Sequence, residues 1–187
     1  MIELISFITR VQALDQETEQ AIKNFHVEET YKKDEFIVEP GKICSKVVFI
    51  KSGLVRRFFI HDDKDVTIWI YGSNQMATSM PSFFWQKPAY EYLQACEDTV
   101  TYSLSYQNEQ LLLEYPLYAK FQLKLLRAYL SGVDEANYRL KLMTAKEKYT
   151  FLLTNHPEII QKAKLKHIAS FLDISQATLS RITASII

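Results

Sequence analysis

The stretch VVFIKSGLVRRFFI, residues 47–60, consists of two runs rich in β-branched and aromatic residues on either side of a turn at Gly53. Such runs favour β-strands because branched and aromatic side chains fit the pleated surface of a sheet. Residues 65–72 and 92–106 repeat the pattern, and glycine can supply the positive φ that turns between strands require. Residues 27–105 are therefore predicted to form an all-β sandwich or barrel of short strands.

Helical patterns flank this β-region on both sides. Residues 2–24 are rich in apolar residues at helical spacing, and LDQETEQAIKNF, residues 14–25, reads as a helix. Residues 117–143 contain no proline and one glycine, Gly132. Apolar side chains in the second segment recur every three or four positions, which predicts one amphipathic helix ~40 Å long. A helix longer than its β-domain needs for cover is predicted to pair with a second copy of the chain. Ordinary packing against its own domain is the alternative.

The charged residues are distributed unevenly along a chain of zero net charge. Residues 141–187 carry seven basic and three acidic side chains, a net charge of +4, and the first 140 residues carry a net charge of −4. A basic segment on an acidic body is typical of a polyanion-binding unit attached to a unit with another task. A solvated lysine-rich surface explains the same charges equally well, so charge alone leaves both interpretations open.

Residues 165–172, LKHIASFL, and 176–182, QATLSRI, read as two short helices joined by a tight turn. The first helix has an apolar stripe and the small residue Ala169 where the second helix must cross. Ser175 is a good N-cap for the second helix, since its hydroxyl can accept a hydrogen bond from a free backbone N–H. Asp173 stands where such turns usually carry glycine, and aspartate tolerates the left-handed conformation better than most residues. The pattern predicts a helix-turn-helix.

The solvent face of the second helix is the predicted DNA-reading surface. Glutamine, serine, threonine and arginine side chains reach base edges or phosphates, and arginine can bind guanine through two hydrogen bonds. Lysines at the start of the first helix are expected to contact phosphates in any DNA sequence. The predicted DNA-binding residues are Ser175, Gln176, Ala177, Thr178, Ser180, Arg181, Lys164 and Lys166.

Several functional classes find no support in the sequence. No stretch reaches the roughly 18 consecutive apolar residues of a membrane span. Residues 1–19 lack the basic start and the cleavage site of a signal peptide, so a cytoplasmic location without membrane attachment is predicted. Cys44 and Cys96 lie far apart without neighbouring ligands, so we expect two reduced thiols, no metal site and no cofactor. The four histidines are scattered and no catalytic grouping is visible, so the chain is predicted not to be an enzyme.

Taken along its whole length, the sequence resembles Crp/Fnr-type transcription regulators. YKKDEFIVEPGKICSKVVFIKSGLVRRFF, residues 31–59, resembles the first β-roll strands of that family, and KLKHIASFLDISQATLSRI, residues 164–182, resembles its DNA-binding motif. The resemblance implies an α+β fold with an N-terminal β-roll of the cyclic-nucleotide-binding, jelly-roll type. A long dimerisation helix and a C-terminal helix-turn-helix domain would follow. The corresponding boundaries are 1–115, 116–143 and 144–187.

By the same resemblance, the chain is a homodimer that binds double-stranded DNA and senses an effector in the β-roll. Gln176, Ala177 and Arg181 would face the major groove. Ala177 replaces an acidic base-reading residue of the best-known members, so the preferred DNA sequence is expected to differ from theirs. The family's winged extension does not follow Ile182, so fewer DNA contacts are expected. The alternative is a sensor or protein-interaction module with a non-functional helix-turn-helix.

The implied effector pocket departs from the cyclic-nucleotide-binding pattern. Nucleotide-binding members carry a Gly-Glu pair and an Arg-Ser or Arg-Thr pair in the phosphate cassette. Here Ala77-Thr78 and Tyr90-Glu91 take those places, and the sequence has no arginine between residues 58 and 126. A carboxylate at the phosphate position is repulsive. Val133 and Asp134 stand near the helix positions that usually contact the base. Cyclic AMP is therefore not expected to bind, and the effector is predicted to be an unknown small molecule.

Other sensor chemistries of the family are not expected either. No N-terminal cysteine cluster is present for an iron–sulfur centre, and haem has only His26 and His61 in this region, both predicted to be surface residues. The cassette is instead aromatic. Packing in the β-roll core is the preferred interpretation, and the walls of an apolar effector pocket are the alternative. The aromatic residues are Phe83, Phe84, Trp85, Tyr90 and Tyr92.

Overall fold

The computed structural model describes residues 1–185 and shows an α+β architecture in which helices flank two antiparallel sheets. The strands are β1 (His26–Tyr31), β2 (Phe36–Val38), β3 (Lys46–Ser52), β4 (Val55–His61), β5 (Lys64–Tyr71), β6 (Met76–Ala77), β7 (Tyr92–Ala95) and β8 (Thr99–Ser105). One sheet has the strand order β1-β8-β3-β6, and the other has the order β2-β7-β4-β5. The period-two pattern of the sequence therefore predicted the sheet region correctly.

The turn at Gly53 carries the chain from one sheet to the other. β3 and β4 lie in different sheets, and Gly53 joins them with a φ of +112°. β7 and β8 make a second crossing beside it, where the backbone N–H of Cys96 donates to the carbonyl of Leu54 over 2.7 Å. Gly53 lies so close to Thr99 that a Cβ atom at position 53 would be 2.7 Å from Thr99 Cα. The two crossings therefore hold the sheets together at one corner.

A tight hairpin joins β4 to β5 and leaves β5 at a sheet edge. Its two turn residues, Asp62 and Asp63, have φ values of +49° and +58°, and His61 pairs with Lys64 across the turn. Positive φ at both central positions suits the right-handed twist of the flanking strands. Since β5 pairs only with β4 among the described strands, its outer backbone groups need another partner.

Helices account for both ends of the chain. They are α1 (Ile2–Val11), α2 (Gln16–Phe25), α3 (Met80–Trp85), α4 (Tyr106–Leu113), α5 (Pro116–Leu142), α6 (Ala145–Asn155), α7 (Pro157–Lys162), α8 (Leu165–Phe171) and α9 (Gln176–Ala184). The long α5 matches the predicted segment 117–143. The helix α6 begins with a capping box, in which the Thr144 and Glu147 side chains each accept a hydrogen bond from the other residue's backbone N–H. No helix within residues 1–185 is both long enough and apolar enough to cross a membrane.

Three apolar clusters organise these elements. Ile50, Phe83 and Leu93 belong to the cluster between the two sheets. A second cluster packs α1, α2, α4 and the first half of α5 against the sheet that contains β3 and β8. A third cluster joins α6, α7, α8 and α9 and extends to Ile70 of β5. The C-terminal helices are therefore in contact with the β-region through an edge of its second sheet.

Two features of this region differ from the sequence-based expectation. Residues 80–85, within the predicted all-β segment, form the short helix α3, with a proline in its first turn. His26 was predicted at the surface, and that prediction was wrong. His26 is the C-cap of α2 and the first residue of β1. Its Nδ1 lies 2.7 Å from the carbonyl oxygen of Ile22, one turn back in the helix. Burial lowers the pKa of His26 to about 4.

Substitution of Gly53 tests the corner where the two crossings meet. Gly53→Ala should lower the free energy of unfolding by about 3 kcal/mol or more, because a left-handed φ is strained and the new methyl group overlaps Thr99. Gly41→Ala is the matched control, since Gly41 has a φ of +82° with no atom within 4 Å of an added Cβ. It should cost only about 1–2 kcal/mol. Urea titrations that show equal losses for both variants would contradict the proposed close contact.

Candidate functional site

The α8 and α9 pair forms a compact unit with a tight turn. Asp173 adopts the predicted left-handed conformation, with a φ of +55°, and the Ile174 N–H donates to the carbonyl of Ala169 over 3.0 Å. The Ser175 hydroxyl accepts a hydrogen bond from the backbone N–H of Thr178, which confirms the predicted N-cap. Leu179 is fully buried beneath the pair. The turn and the core therefore fix the orientation of α9.

Most of the predicted DNA-binding residues share the outer surface of this unit. Thr178 is half-buried, and the Arg181 Nε donates to the Ala177 carbonyl over 3.3 Å, which holds the guanidinium along the helix. The backbone N–H groups at the start of a helix and the side chains beside them can bind phosphates. The exposed members of the predicted set are Ser175, Gln176, Ala177, Ser180, Arg181, Lys166 and Lys164.

Lys164 has a neighbour that the sequence did not predict. Its Nζ lies 2.9 Å from a carboxylate oxygen of Asp34 in the β-region, and Lys162 Nζ lies 2.8 Å from Glu97. The hydrogen bond from Lys164 holds the pKa of Asp34 below its usual value. Both ion pairs are largely exposed, so each contributes little to stability. Part of the basic character of the C-terminal segment nevertheless faces the β-region in this structure.

Arg56 makes the strongest polar connection between the two halves of the chain. Its Nη1 lies 2.6 Å from Asp65 and 2.9 Å from His167 Nδ1, and its Nε and Nη2 donate to Gln94 Oε1 over 3.0 and 2.9 Å. Arginine has only donors, so His167 must accept through an unprotonated Nδ1. Burial, reinforced by the charge of Arg56, lowers the pKa of His167 to about 4.

The helix α8 also satisfies the free edge of β5. The Ser170 hydroxyl accepts from the Thr67 N–H over 2.9 Å and lies 3.3 Å from the carbonyl oxygen of Asp65, to which it can donate. The Phe171 ring packs edge-on against Trp69, with ring centroids 5.6 Å apart. Sequence reasoning missed these residues because their partners lie more than 100 positions away. The one local signal was the alternation of side chains along β5, which indicates which of its residues share a face but not what packs against them.

The cassette region contains an ion pair between Glu91 and an arginine of β4. Glu91 is buried, accepts a hydrogen bond from the Ser79 hydroxyl over 2.8 Å, and lies 3.5 Å from Arg57 Nε. Arg57 is the residue just before the arginine-free segment 58–126. The antiparallel pairing of β4 with β7 places Arg57 beside this carboxylate. Glu91 therefore has an ion-pair partner on β4, while Arg57 Nε has no hydrogen-bond partner among the described residues.

A cavity of about 290 Å³ lies between the β-region and α5. Its walls are mostly aromatic and aliphatic, and several polar side chains reach them. It is lined by Phe7, Val47, Trp69, Tyr71, Asn74, Gln75, Met76, Thr78, Met80, Phe83, Phe84, Glu109, Gln122, Leu125, Leu126 and Tyr129. The lining comes from α1, β3, β5, β6, α3, α4, the first half of α5 and the loops on either side of β6. Such a small, mainly apolar cavity is typical of a small-molecule site.

The predicted effector-pocket residues are only partly brought together. Within the described residues, Thr78 is the one member of the predicted set that lines the cavity. Ala77 is buried in the core between the sheets, and Glu91 is held in its ion pair. Tyr90 is 65% exposed. Val133 and Asp134 lie on α5 about one helical turn beyond Tyr129, the last helix residue of the lining, and do not line this cavity.

The aromatic run divides between the two interpretations. Phe83 belongs to the core between the sheets and also lines the cavity beside Phe84. Tyr92 stacks on the Phe58 ring with centroids 4.7 Å apart, which is packing. Trp85 is 75% exposed and contributes to neither. Within residues 1–185, no group of three or more histidine, cysteine, aspartate or glutamate side chains is arranged to hold a metal ion.

Comparison with known proteins supports the fold. Residues 28–114 match the family model of the cyclic nucleotide-binding domain. The chain is similar to the catabolite activator protein of Thermus thermophilus, at 16% identity and a TM-score of 0.60, over 96% of this chain and 86% of that chain. It is also similar to the c-di-GMP responsive global regulator CLP of Xanthomonas campestris, at 16% identity and a TM-score of 0.66, over 92% and 91% of the two chains.

A third similar structure is described as a transcriptional regulator of the Crp/Fnr family from Eubacterium rectale. It is 18% identical, with a TM-score of 0.67, over 90% of this chain and 82% of that chain. No curated protein sequence matches the chain. At these identities the structural likeness establishes a shared fold, and it extends from the β-region through the C-terminal helices.

The contact between Arg56 and His167 should make the attachment of α8 depend on pH. His167 has a lowered pKa when docked, so the undocked form binds protons more readily, and docking should weaken as pH falls from about 6.5 to about 4. Asp65 faces the same ring and opposes this effect only partly. Emission from Trp69, measured in a Trp85→Phe background, should shift to the red over this range.

His167→Gln is the matched variant, because glutamine can still accept a hydrogen bond from Arg56 and does not titrate. In this variant the red shift of Trp69 should be largely lost, with helix content by circular dichroism unchanged. The contact would be contradicted if the wild-type emission did not change with pH, or if both chains shifted equally. His26 has the same lowered pKa but lies outside this contact, so its contribution should be common to both proteins.

Proposed function

We propose that the protein is a sequence-specific DNA-binding transcription regulator of Crp/Fnr type. The observation that carries this proposal is the exposed polar face of α9, from Gln176 to Arg181, on a helix whose start is capped and whose inner side is buried. Similarity of the whole fold to such regulators supports it. A helix presented in this way can enter the major groove with its first residues toward the base edges.

The chemistry of the α9 surface fits such a role. Gln176 and Arg181 carry the side chains that can bond adenine and guanine edges, while Ser175 and Thr178 suit phosphate contacts. Lys166 is exposed and adds positive charge beside the same surface. Ala177 can offer only an apolar contact to a thymine methyl group. The preferred DNA sequence is therefore set mainly by Gln176 and Arg181, which lie more than one helical turn apart.

The helix α5 supports a second part of the proposal, a parallel homodimer. Leu123, Leu126 and Leu130 are 51%, 42% and 70% exposed, which is unusual for leucine unless another surface covers it. Val133 and Leu140 continue this stripe at the spacing of three and four residues that produces coiled-coil contacts. We propose that a second copy covers the stripe, which would place two α9 helices about one turn of DNA apart.

The effector of this regulator is proposed to differ from a cyclic nucleotide. The β-region matches the domain family that binds such nucleotides, yet its arginine at the cassette is already neutralised by Glu91. A phosphate would have to displace a buried carboxylate from Arg57, which is costly because it leaves the carboxylate buried without its partner.

A second candidate function is a sensor or protein-interaction module whose helix pair does not read DNA. The observation in its favour is the close attachment of α8 to β5, together with the ion pairs of Lys162 and Lys164 with the β-region. These contacts reduce the basic charge that is free to meet phosphates. A chain with this function would have no measurable affinity for random DNA even at low salt, since non-specific binding is almost entirely electrostatic.

Arg181 separates the two candidates. Arg181→Ala should cost ~1–3 kcal/mol of binding to a DNA duplex enriched from a random pool and should relax the preference at one base position. Lys166→Ala is the control. It should weaken binding to enriched and random duplexes alike and should reduce the slope of log affinity against log salt concentration by about one. Fluorescence anisotropy at several salt concentrations measures both. Equal losses on the two duplexes for Arg181→Ala would contradict its role in base recognition.

A further inference from the structure

The cavity beside α5 has one acidic side chain and no basic side chain in its described lining. Within the described residues, Glu109 is the only charged side chain in its lining. Glu109 is 5% exposed and its nearest polar partner is the Gln110 amide, 2.7 Å away, so no cation balances it directly. Burial raises the pKa of Glu109 above its usual value. An anionic ligand would meet a carboxyl group and apolar walls, and would lose its hydration without a compensating charge.

The cation that adjoins this lining already has a carboxylate partner. Arg57 is outside the lining, and its guanidinium is paired with Glu91. Tyr71 and Tyr129 both line the cavity and both adjoin the Arg57 guanidinium. Burial raises the pKa of Tyr71 to about 12, so it remains uncharged at neutral pH. Arg57 and Glu91 therefore lie outside the lining, and the cavity adjoins their ion pair only through these tyrosines.

The polar groups of the lining favour a ligand that donates a hydrogen bond. The amide nitrogen of Gln122 donates to the Tyr118 hydroxyl over 2.7 Å, which turns its carbonyl oxygen into the group best placed to accept. One oxygen of Glu109 accepts from Gln110, and the other can accept from a ligand. The rest of the surface is supplied largely by aromatic rings and by Met76 and Met80, whose flexible side chains adapt to irregular apolar shapes.

We propose that this cavity binds an uncharged, largely apolar small molecule that carries a hydrogen-bond donor, and that this ligand class is the effector of the sensor. Binding itself follows from the cavity alone, whereas the effector role rests on the proposed regulatory function. Leu126 and Tyr129 connect the two, because both line the cavity and both are about two-fifths exposed on α5. A ligand in the cavity therefore contacts the helix that is proposed to form the dimer.

Two dyes with the same ring system provide the test. N-phenyl-1-naphthylamine is uncharged and has an N–H donor, while 8-anilino-1-naphthalenesulfonate adds a sulfonate to the same frame. The full chain at neutral pH should bind the uncharged dye saturably, with one site per chain, and should bind the sulfonate about tenfold more weakly or worse. Glu109→Gln should narrow this difference by improving sulfonate binding. Comparable affinity of the two dyes in the wild-type chain would overturn the proposal.

Cavity-filling variants locate the bound dye. Leu125→Trp should weaken binding of the uncharged dye about tenfold, because the larger ring occupies the cavity. Leu111→Trp is the matched control on the exposed side of α4 and should have no effect. If Leu125→Trp does not fold, as judged by circular dichroism, Met80→Trp replaces it with the same expected result. Unchanged binding in the folded variant would overturn the assignment of the cavity. None of these measurements uses DNA, so their failure is distinguishable from failure of the proposed DNA binding.

Discussion

The buried guanidinium of Arg56 is the interaction on which the arrangement of the whole chain depends. It lies on β4 beneath α8, and its five N–H groups can be satisfied only by partners from several elements. Asp65 comes from β5, Gln94 from β7 and His167 from α8. A buried charge that lost one of these partners would be costly. The position of the C-terminal helices is therefore tied to the register of three strands in the second sheet.

Adjacent arginines on one strand serve the two faces of that sheet. Because neighbouring side chains alternate, Arg56 points toward the C-terminal helices and Arg57 toward the interior of the β-region. Arg57 pairs with Glu91 there, and a mainly apolar cavity adjoins this ion pair. The cavity reaches α5, and α5 leads directly to the helices that carry α9. The cavity and the outer surface of α9 are thereby connected through one continuous helix and one sheet edge.

The local sequence pattern predicted the helices and strands, but it could not predict which residues distant in the sequence come into contact. The strands around Gly53, the long α5, the cap at Ser175 and the left-handed Asp173 all follow from propensities within a few residues. The neutralisation of Glu91 depends on strand register, and the burial of His167 depends on docking across more than 100 positions. The cavity lining combines residues from distant parts of the chain, from Phe7 to Tyr129, so no local pattern could predict it.

The central claim is that a symmetric pair of α9 helices reads DNA, and selection of duplexes from a random pool tests it most directly. The purified full chain should enrich a two-fold symmetric sequence whose half-sites are centred roughly one helical turn apart. The enriched duplex should bind about a thousandfold or more tightly than random DNA at physiological salt. A pool that remains random after repeated rounds, or an enriched site without two-fold symmetry, would contradict the account.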